Sequence, residues 1–240
     1  MSETCTDQIT RWIEVPSAAL KGQGLEPYAD GEIAVLVDWA EDPTAGSLHL
    51  MPHCGQFIVD VVEIETNAVH QPSKPGDEIV VVLNGSLSLT TDATGAELVI
   101  PAGGMVLIPA GWAGIYRVSG AARPFLELAI VPFDYFDAGV APPPNDTSPR
   151  RLELPSAAGR HELHRNRYLL EVENRDAVER RRATGGADEI VQVLAGALTL
   201  TAAGETAVFG AGDVVVLPRG FAGEVEVSAG YRALNARWIG

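Results

Sequence analysis

The chain is poor in the residues that most readily disclose a function. Aromatic residues fill only 6% of its 240 positions, so any core must be packed mainly with Val, Leu, Ile and Ala, and the 46% hydrophobic share is enough for that. It has two cysteines, Cys5 and Cys54. The first lies in a polar N-terminal stretch, so a structural disulfide is not expected, and reduced thiols in a cytoplasmic protein fit better. No apolar run approaches the ~18 residues of a membrane-spanning helix. Residues 1–10 lack the basic and apolar regions of a secretory signal. Basic residues are outnumbered 17 to 32, giving a formal net charge of −15 and a pI near 4.6. A surface that negative repels phosphate backbones and anionic head groups, so neither nucleic acid nor membrane is expected as a partner. The short run Arg180-Arg181-Arg182 does not reverse this and reads as a solvated loop. Long amphipathic helical periods are missing as well.

What is present is the same message twice. Residues 77–90, Asp-Glu-Ile-Val-Val-Val-Leu-Asn-Gly-Ser-Leu-Ser-Leu-Thr, recur at 188–201 with ten of fourteen positions identical, at an offset of 111. Residues 102–114 recur at 211–223 at an offset of 109, so two residues are deleted from the turn between the blocks. A third match, Ile13 to Ala19 against Leu152 to Ala158, stands at an offset of 139. By that alignment the first copy carries 28 extra residues, expected to include the strand-like Glu32–Val37 and the segment holding His49 and His53. Between the copies, Ala141-Pro142-Pro143-Pro144 and the residues to Pro149 read as a semi-rigid exposed linker.

Each copy is a series of short Val/Leu/Ile/Thr runs punctuated by Gly, Pro, Asn and Asp, the pattern of an all-β sandwich or barrel. Leu87 and Leu89 alternate with Ser86, Ser88 and Thr90, predicting one buried and one polar face. Thr91–Gly95 and Ala202–Glu205 have the composition of hairpin turns. Gly85, Gly196, Gly111 and Gly220 are expected in turns that need positive φ. No helix follows them whose N-terminus could bind an anion, so no phosphate-cradling loop is implied.

Glu78 with Gly85, and Glu189 with Gly196, resemble the Glu-x6-Gly end of the first cupin motif. Gly103-x5-Pro109-x-Gly111 and Gly212-x5-Pro218-x-Gly220 resemble the start of the second. Over most of both halves the chain is similar to a bicupin. The Pro-x-Gly-aromatic-Ala-Gly ending resembles the subgroup of ureidoglycine aminohydrolase and the ethanolamine-utilisation cupin. The resemblance implies two tandem jelly-roll β-barrels: an N-terminal one over 1–140, a linker over 141–150 and a C-terminal one over 151–240. It also implies an interior site that, in metal-binding relatives, is built from three histidines and a glutamate. Those histidine positions hold Gln71 and Ser73, or Pro72 and Lys74, in the first copy. In the second they hold Arg182 and Thr184, or Ala183 and Gly185. The second motif's histidine falls on Gly114 and Gly223. Only Glu78 and Glu189 remain, so no metal or other cofactor is expected and the aminohydrolase activity does not carry over.

On a strand, Glu78, Val80 and Val82 share a face, which points the glutamate inward. Glu78 and Glu189 are therefore candidates for general acid/base work or for anchoring a ligand, against the alternative of solvated or amide-capped strand ends. His70, one residue before the first motif's histidine position, is a candidate at the barrel mouth or an exposed loop residue. Trp112 and Phe221 are candidates for a flat pocket wall or for plain packing. His49, His53 and His70 together form a candidate for a non-standard metal site, while His161 and His164 read as surface residues. Four functions compete: a bicupin binding a small polar metabolite; a metal-independent isomerase, epimerase or hydrolase using Glu78 and His70; a metal enzyme with unorthodox ligands; and an assembly role. A homodimer through outer sheets is a fair expectation. The opening segments Arg11–Val15 and Arg151–Leu154 are candidates to cross to the opposite barrel.

Overall fold

The structure is a computed structural model that describes residues 11–28, 47–65, 67–120, 122–132 and 147–240. Cys5, the segment Glu32–Val37 and the prolines at 142–144 lie outside these residues. Among the described residues the elements are strands, apart from a single 3-10 turn at Ala19–Lys21. No helix among them is long and apolar enough to cross a membrane.

The chain divides into two compact units. One comprises Glu153–Gly240 together with Pro52–Phe57 and the described residues of Met1–Ser17; the other comprises Ile58–Leu152 and the described residues of Ala18–Met51. In the C-terminal unit a sheet runs in the order Ile13–Val15, Val214–Leu217, Glu189–Ala195, Tyr231–Trp238, Tyr168–Arg175 and Gly159–Arg165. Its companion runs Glu179–Thr184, Ala222–Val227, Ala197–Ala202, Glu205–Gly210. The N-terminal unit repeats the plan: Arg150–Arg151, Met105–Ile108, Glu78–Asn84, Phe125–Pro132, Phe57–Ile64, Leu48–Cys54 and Glu26–Pro27 on one side, and Asn67–Gln71, Gly114–Ser119, Ser86–Thr91, Glu97–Pro101 on the other.

Each pair of sheets closes on an aliphatic core. Val80, Val82, Leu87, Leu89, Val106, Ile108 and Phe125 fill the N-terminal barrel, and Val191, Val193, Leu198, Leu200, Val215 and Leu217 fill the other. Leu87 and Leu89 are fully buried while Ser86, Ser88 and Thr90 are only partly so, as the alternation predicts. The four glycines take φ of 82° and 70° at Gly85 and Gly196, and 80° and 93° at Gly111 and Gly220, in the region where a side chain is strained.

The opening strands are exchanged. Ile13–Val15 pairs antiparallel with Val214–Val216 of the second copy, and Arg150–Arg151 with Val106–Leu107 of the first. The ladders also correct the repeat alignment. Val15 faces Val214 and the Leu152 amide bonds the Met105 carbonyl, so Val15 corresponds to Leu152 rather than Leu154. A slip of two residues keeps every side chain on its own face, which is why sequence similarity tolerated it. A second correction concerns the insertion. Leu48–Cys54 holds the place of Gly159–Arg165, so His49 and His53 belong to the shared barrel and not to the extra segment.

Candidate functional site

Because Val80 and Val82 point into the core, Glu78 on the same face of that strand points into the N-terminal barrel. It is not alone there. Lys74, at the turn entering the strand, brings its ammonium to 2.5 Å from Glu78 Oε2. The loop carrying Lys74 is fixed by its backbone: its amide donates to the Trp112 carbonyl and its carbonyl accepts from Gly111, both at 2.7 Å. From the facing sheet comes Tyr116, packed against the core, and from the neighbouring strand of Glu78's own sheet Glu127, on the face it shares with Phe125. The Tyr116 hydroxyl donates to Glu127 Oε2 at 2.6 Å. Deeper along the sheet Asp60 accepts from the Tyr28 hydroxyl at 2.9 Å, and its carboxylate lies 3.3 and 3.4 Å from His49 Nδ1. The imidazole of His49 stacks on the Tyr28 ring with centroids 3.6 Å apart.

This cluster is nearly dry. Lys74 is 4% exposed and Glu78 13%, while Tyr28 and Tyr116 are partly buried. Two buried acceptors have no hydrogen-bond partner: Asp60 Oδ1 and Gln71 Oε1. Gln71 pairs with Gly114, two residues from the Val69–Tyr116 pair, and so shares Tyr116's inward face. Burial, followed by the nearby Glu78 charge, pushes the Glu127 carboxyl from 4.5 up to about 8, against the opposing effects of Tyr116 and Lys74. It is therefore a carboxylic acid at neutral pH. The Tyr116 hydroxyl is likewise raised, by burial first and then by Glu127 and Glu78. A neutral acid and an ion-paired carboxylate thus stand within electrostatic reach of one another in one apolar barrel.

The other sequence candidates lie elsewhere. His70 sits on the outward face, 58% exposed, with Nε2 2.8 Å from Asp92. The register puts Val69 and Gln71 inward, so His70 cannot join Glu78 across the sheet. His53 binds Asp188, which also accepts from the Gln56 and Arg219 amides. His49, His53 and His70 therefore each meet a different carboxylate, and the triad is not assembled. Among the described residues no group of three or more His, Cys, Asp and Glu could hold a metal ion. Trp112 and Phe221 are buried in the two cores, and the Trp112 indole donates to Thr91 Oγ1 at 3.1 Å. Their rings take the space a side chain would need at the lost histidine positions. A Cβ on Gly114 would lie 2.1 Å from the Thr90 carbonyl and 2.7 Å from the Trp112 ring, and one on Gly223 2.6 Å from Thr201 O and 2.8 Å from the Phe221 ring. With Lys74 resting on Glu78, the residues present do not fit the metal that the cupin resemblance implies.

Glu189 does point into the C-terminal barrel, where burial raises its carboxyl against the pull of Arg181 and Arg237. That interior is a charge network centred on Glu173, which Arg175 grips at 2.6 Å and Arg160 at 3.4 Å, with Arg181 at 3.9 Å. The run Arg180–Arg182 is not a loop but part of the strand Glu179–Thr184, alternating faces so that Arg181 turns inward while Arg180 pairs with Glu226 outside. Sequence reading missed Lys74, Tyr116, Glu127 and Asp60. The one local signal was a charge among apolar strand residues, Glu127 alone within Phe125–Pro132 and Asp60 between Val59 and Val61 in Phe57–Ile64.

Three solved structures share this architecture. A protein of unknown function from Pseudomonas syringae pv. tomato, of the family designated DUF861, superposes with a TM-score of 0.64 at 14% identity over 94% of this chain and 98% of its own. A cupin 2 conserved barrel domain protein from Leptotrichia buccalis gives 0.58 at 12% identity over 88% and 95%. This chain has the cupin fold. Residues 180–233 also match the model of the EutQ-like cupin domain. A salicylate 1,2-dioxygenase from Pseudoaminobacter salicylatoxidans shares the cupin fold with a TM-score of 0.55 at 11% identity over 76% of this chain and 70% of its own. No curated protein matches the sequence. At these identities the similarity speaks for the fold and not for the reaction.

Proposed function

We propose that the chain is a bicupin whose N-terminal barrel binds a small, uncharged, polar metabolite against Lys74, Glu78, Tyr116 and Glu127. The observation that carries this reading is the buried acceptor Gln71 Oε1, which has no hydrogen-bond partner, in the barrel that holds the cluster; near it Asp60 Oδ1 meets His49 Nδ1 at 3.3 Å but makes no hydrogen bond. An orphaned buried acceptor costs on the order of 1–3 kcal/mol, which a ligand hydroxyl or amide donor would recover. Anionic ligands are disfavoured, because the Asp60 and Glu78 carboxylates face the same space and only Lys74 and His49 offset them. The EutQ-like match and the shared Pro-x-Gly-aromatic-Ala-Gly ending support a place near the ethanolamine-utilisation subgroup. The interior itself differs from a metal-binding cupin site.

A thermal-denaturation panel tests this, comparing polyols, amides and hydroxy-carbonyl compounds with dicarboxylates. Uncharged donors should raise the midpoint of the wild type, and Gln71→Leu should remove the effect. If Gln71→Leu stabilises the protein and leaves every ligand response intact, the cluster has only a packing role. A second reading, proton-transfer catalysis, is favoured by one specific feature: Glu127 is an acid and Glu78 a carboxylate in the same barrel. That is the divergence of two carboxyl groups that acid/base chemistry requires. His70, on the outer face, takes no part in it.

A further inference from the structure

Lysine is nearly absent from this protein. Of its 17 basic residues, 15 are arginine, and the only lysines are Lys21 and Lys74. Buried carboxylates in the C-terminal barrel are served by arginine, with Arg160, Arg175 and Arg181 around Glu173. The N-terminal barrel instead places a lysine inside. The two cations differ chemically in one decisive respect. A guanidinium does not release its proton in a protein, whereas an ammonium does and then presents a nucleophilic lone pair.

We propose that Lys74 is a carbonyl-capturing amine, forming an iminium with a small uncharged hydroxylated aldehyde or ketone held in the N-terminal barrel. The inference rests on the binding reading above and names its ligand class. Three placements carry it. Lys74 Nζ touches a proton acceptor, Glu78 Oε2, at 2.5 Å. The Tyr116 hydroxyl from the facing sheet bonds Glu127 at 2.6 Å, and Glu127, on the strand next to that of Glu78 and with its carboxyl raised by burial, supplies the acid. Gln71 Oε1 offers a free acceptor for a ligand hydroxyl, and Asp60 Oδ1, which makes no hydrogen bond but lies 3.3 Å from His49 Nδ1, a second acceptor.

The step balances as follows. Glu78 takes a proton from the Lys74 ammonium, and the freed lone pair forms a C–N bond at the carbonyl carbon. The carbonyl π pair moves to oxygen, which receives a proton from Glu127, and Glu127 recovers one from the new C–N ammonium. Glu78 then returns its proton to the carbinolamine hydroxyl, which leaves as water while the nitrogen lone pair closes the C=N bond. Ammonium and carbonyl become iminium and water, with no oxidant or reductant required. Exclusion of bulk water favours the iminium over its hydrolysis.

The scarcity of lysine makes the experiment clean. The full chain is incubated with glycolaldehyde and sodium cyanoborohydride, digested, and the adducts at Lys74 and the exposed Lys21 are followed by mass spectrometry. Lys74 should be labelled about tenfold faster than Lys21 despite its burial, as expected of a positioned and activated amine. Glu127→Gln should slow labelling at Lys74 and leave Lys21 unchanged. In Lys74→Arg the barrel adduct should vanish while the near-UV circular dichroism is kept. Should that variant not fold, the Lys74 to Lys21 ratio in the wild type decides by itself. Labelling of Lys21 as fast as Lys74, or none at Lys74, overturns the proposal. If Lys74 stays unlabelled while uncharged hydroxy compounds still shift the thermal midpoint, the amine chemistry falls and binding stands. If neither occurs, both readings fall.

Discussion

Replacing Glu127 with glutamine should make the protein more stable at alkaline pH, and the size of the gain follows from the site. The carboxyl is raised from 4.5 to about 8, by burial first and the Glu78 charge second. Below pH 4.5 it is protonated in both folded and unfolded chains and has no effect on the pH dependence. Between 4.5 and 8 only the folded chain keeps the proton, so unfolding releases one and rising pH favours unfolding by about 1.4 kcal/mol per pH unit. From 4.5 to about 8 the loss comes to about 5 kcal/mol, complete only above the folded value. The amide of Glu127→Gln cannot ionise and still offers Tyr116 an acceptor. Urea titrations should therefore place the variant within about 1 kcal/mol of wild type near pH 5. The variant should lead by several kcal/mol at pH 8.5. A gap that stays constant from pH 5 to 8.5 would refute the assignment of a buried neutral acid.

Three further outcomes are expected. Gly114→Ala drives a methyl against the Thr90 carbonyl and the Trp112 ring and should cost about 3 kcal/mol or more in chemical denaturation. Gly223→Ala, with its nearest contact at 2.6 Å, should cost less. Trp12→Ala should lower the stability of the C-terminal unit by about 3–5 kcal/mol, since this buried indole meets Phe209 edge-on, centroids 6.4 Å apart. Burial works to raise the Asp188 carboxyl, but hydrogen bonds from His53 and the Arg219 and Gln56 amides hold it below its ordinary value. Asp188→Asn should thus cost about 2–4 kcal/mol at pH 7. That deficit should fade in acid-unfolding curves as pH falls below about 4 and the wild-type carboxylate itself is protonated.

Much of the fold was legible because its signals are local. The repeated Glu-Ile-Val blocks, the alternation of Leu87 and Leu89, and glycines whose turns demand positive φ all act within a few residues. The inward aim of Glu78 was legible too, since strand parity depends only on its neighbours Val80 and Val82. For His70 the sequence left barrel mouth and exposed residue both open, and the structure shows it exposed. It lies beyond the turn at 72–77, and a single residue of register decides between the barrel interior and solvent. The basic run at 180–182 was misread for a related reason: in a strand its charges divide between two faces, so composition alone does not mark it as a loop. None of the partners of Glu78 was identified from sequence, not even Lys74 four residues before it. Glu127 and Asp60 reach Glu78 from strands of its own sheet that are distant in sequence, and Tyr116 from the facing sheet, so no local spacing rule links them.

The two copies share their backbone plan yet handle buried charge in opposite ways, and this contrast points to the N-terminal barrel as the working one. Where the first has Tyr116 and Glu127, the ladders place Val225 and Ala233 in the second. Where the first has Lys74, the same loop hydrogen bonds place Gly185. In the C-terminal barrel three arginines surround Glu173, and Arg181 and Arg237 attend Glu189. Four buried polar atoms among the described residues of that unit are also left without a hydrogen-bond partner, Asn174 Oδ1, Gln192 Oε1, Arg232 Nε and Asn235 Oδ1. A network that matches each buried carboxylate with a fixed cation satisfies itself and resists rearrangement. The N-terminal barrel instead gathers three acids around one lysine and one histidine, so one acid holds its proton and the Gln71 Oε1 acceptor stands open. Arginine would have neutralised that cluster as it does in the other copy. A lysine, unlike an arginine, can yield its proton, which under the proposed reading leaves the cluster open to chemistry.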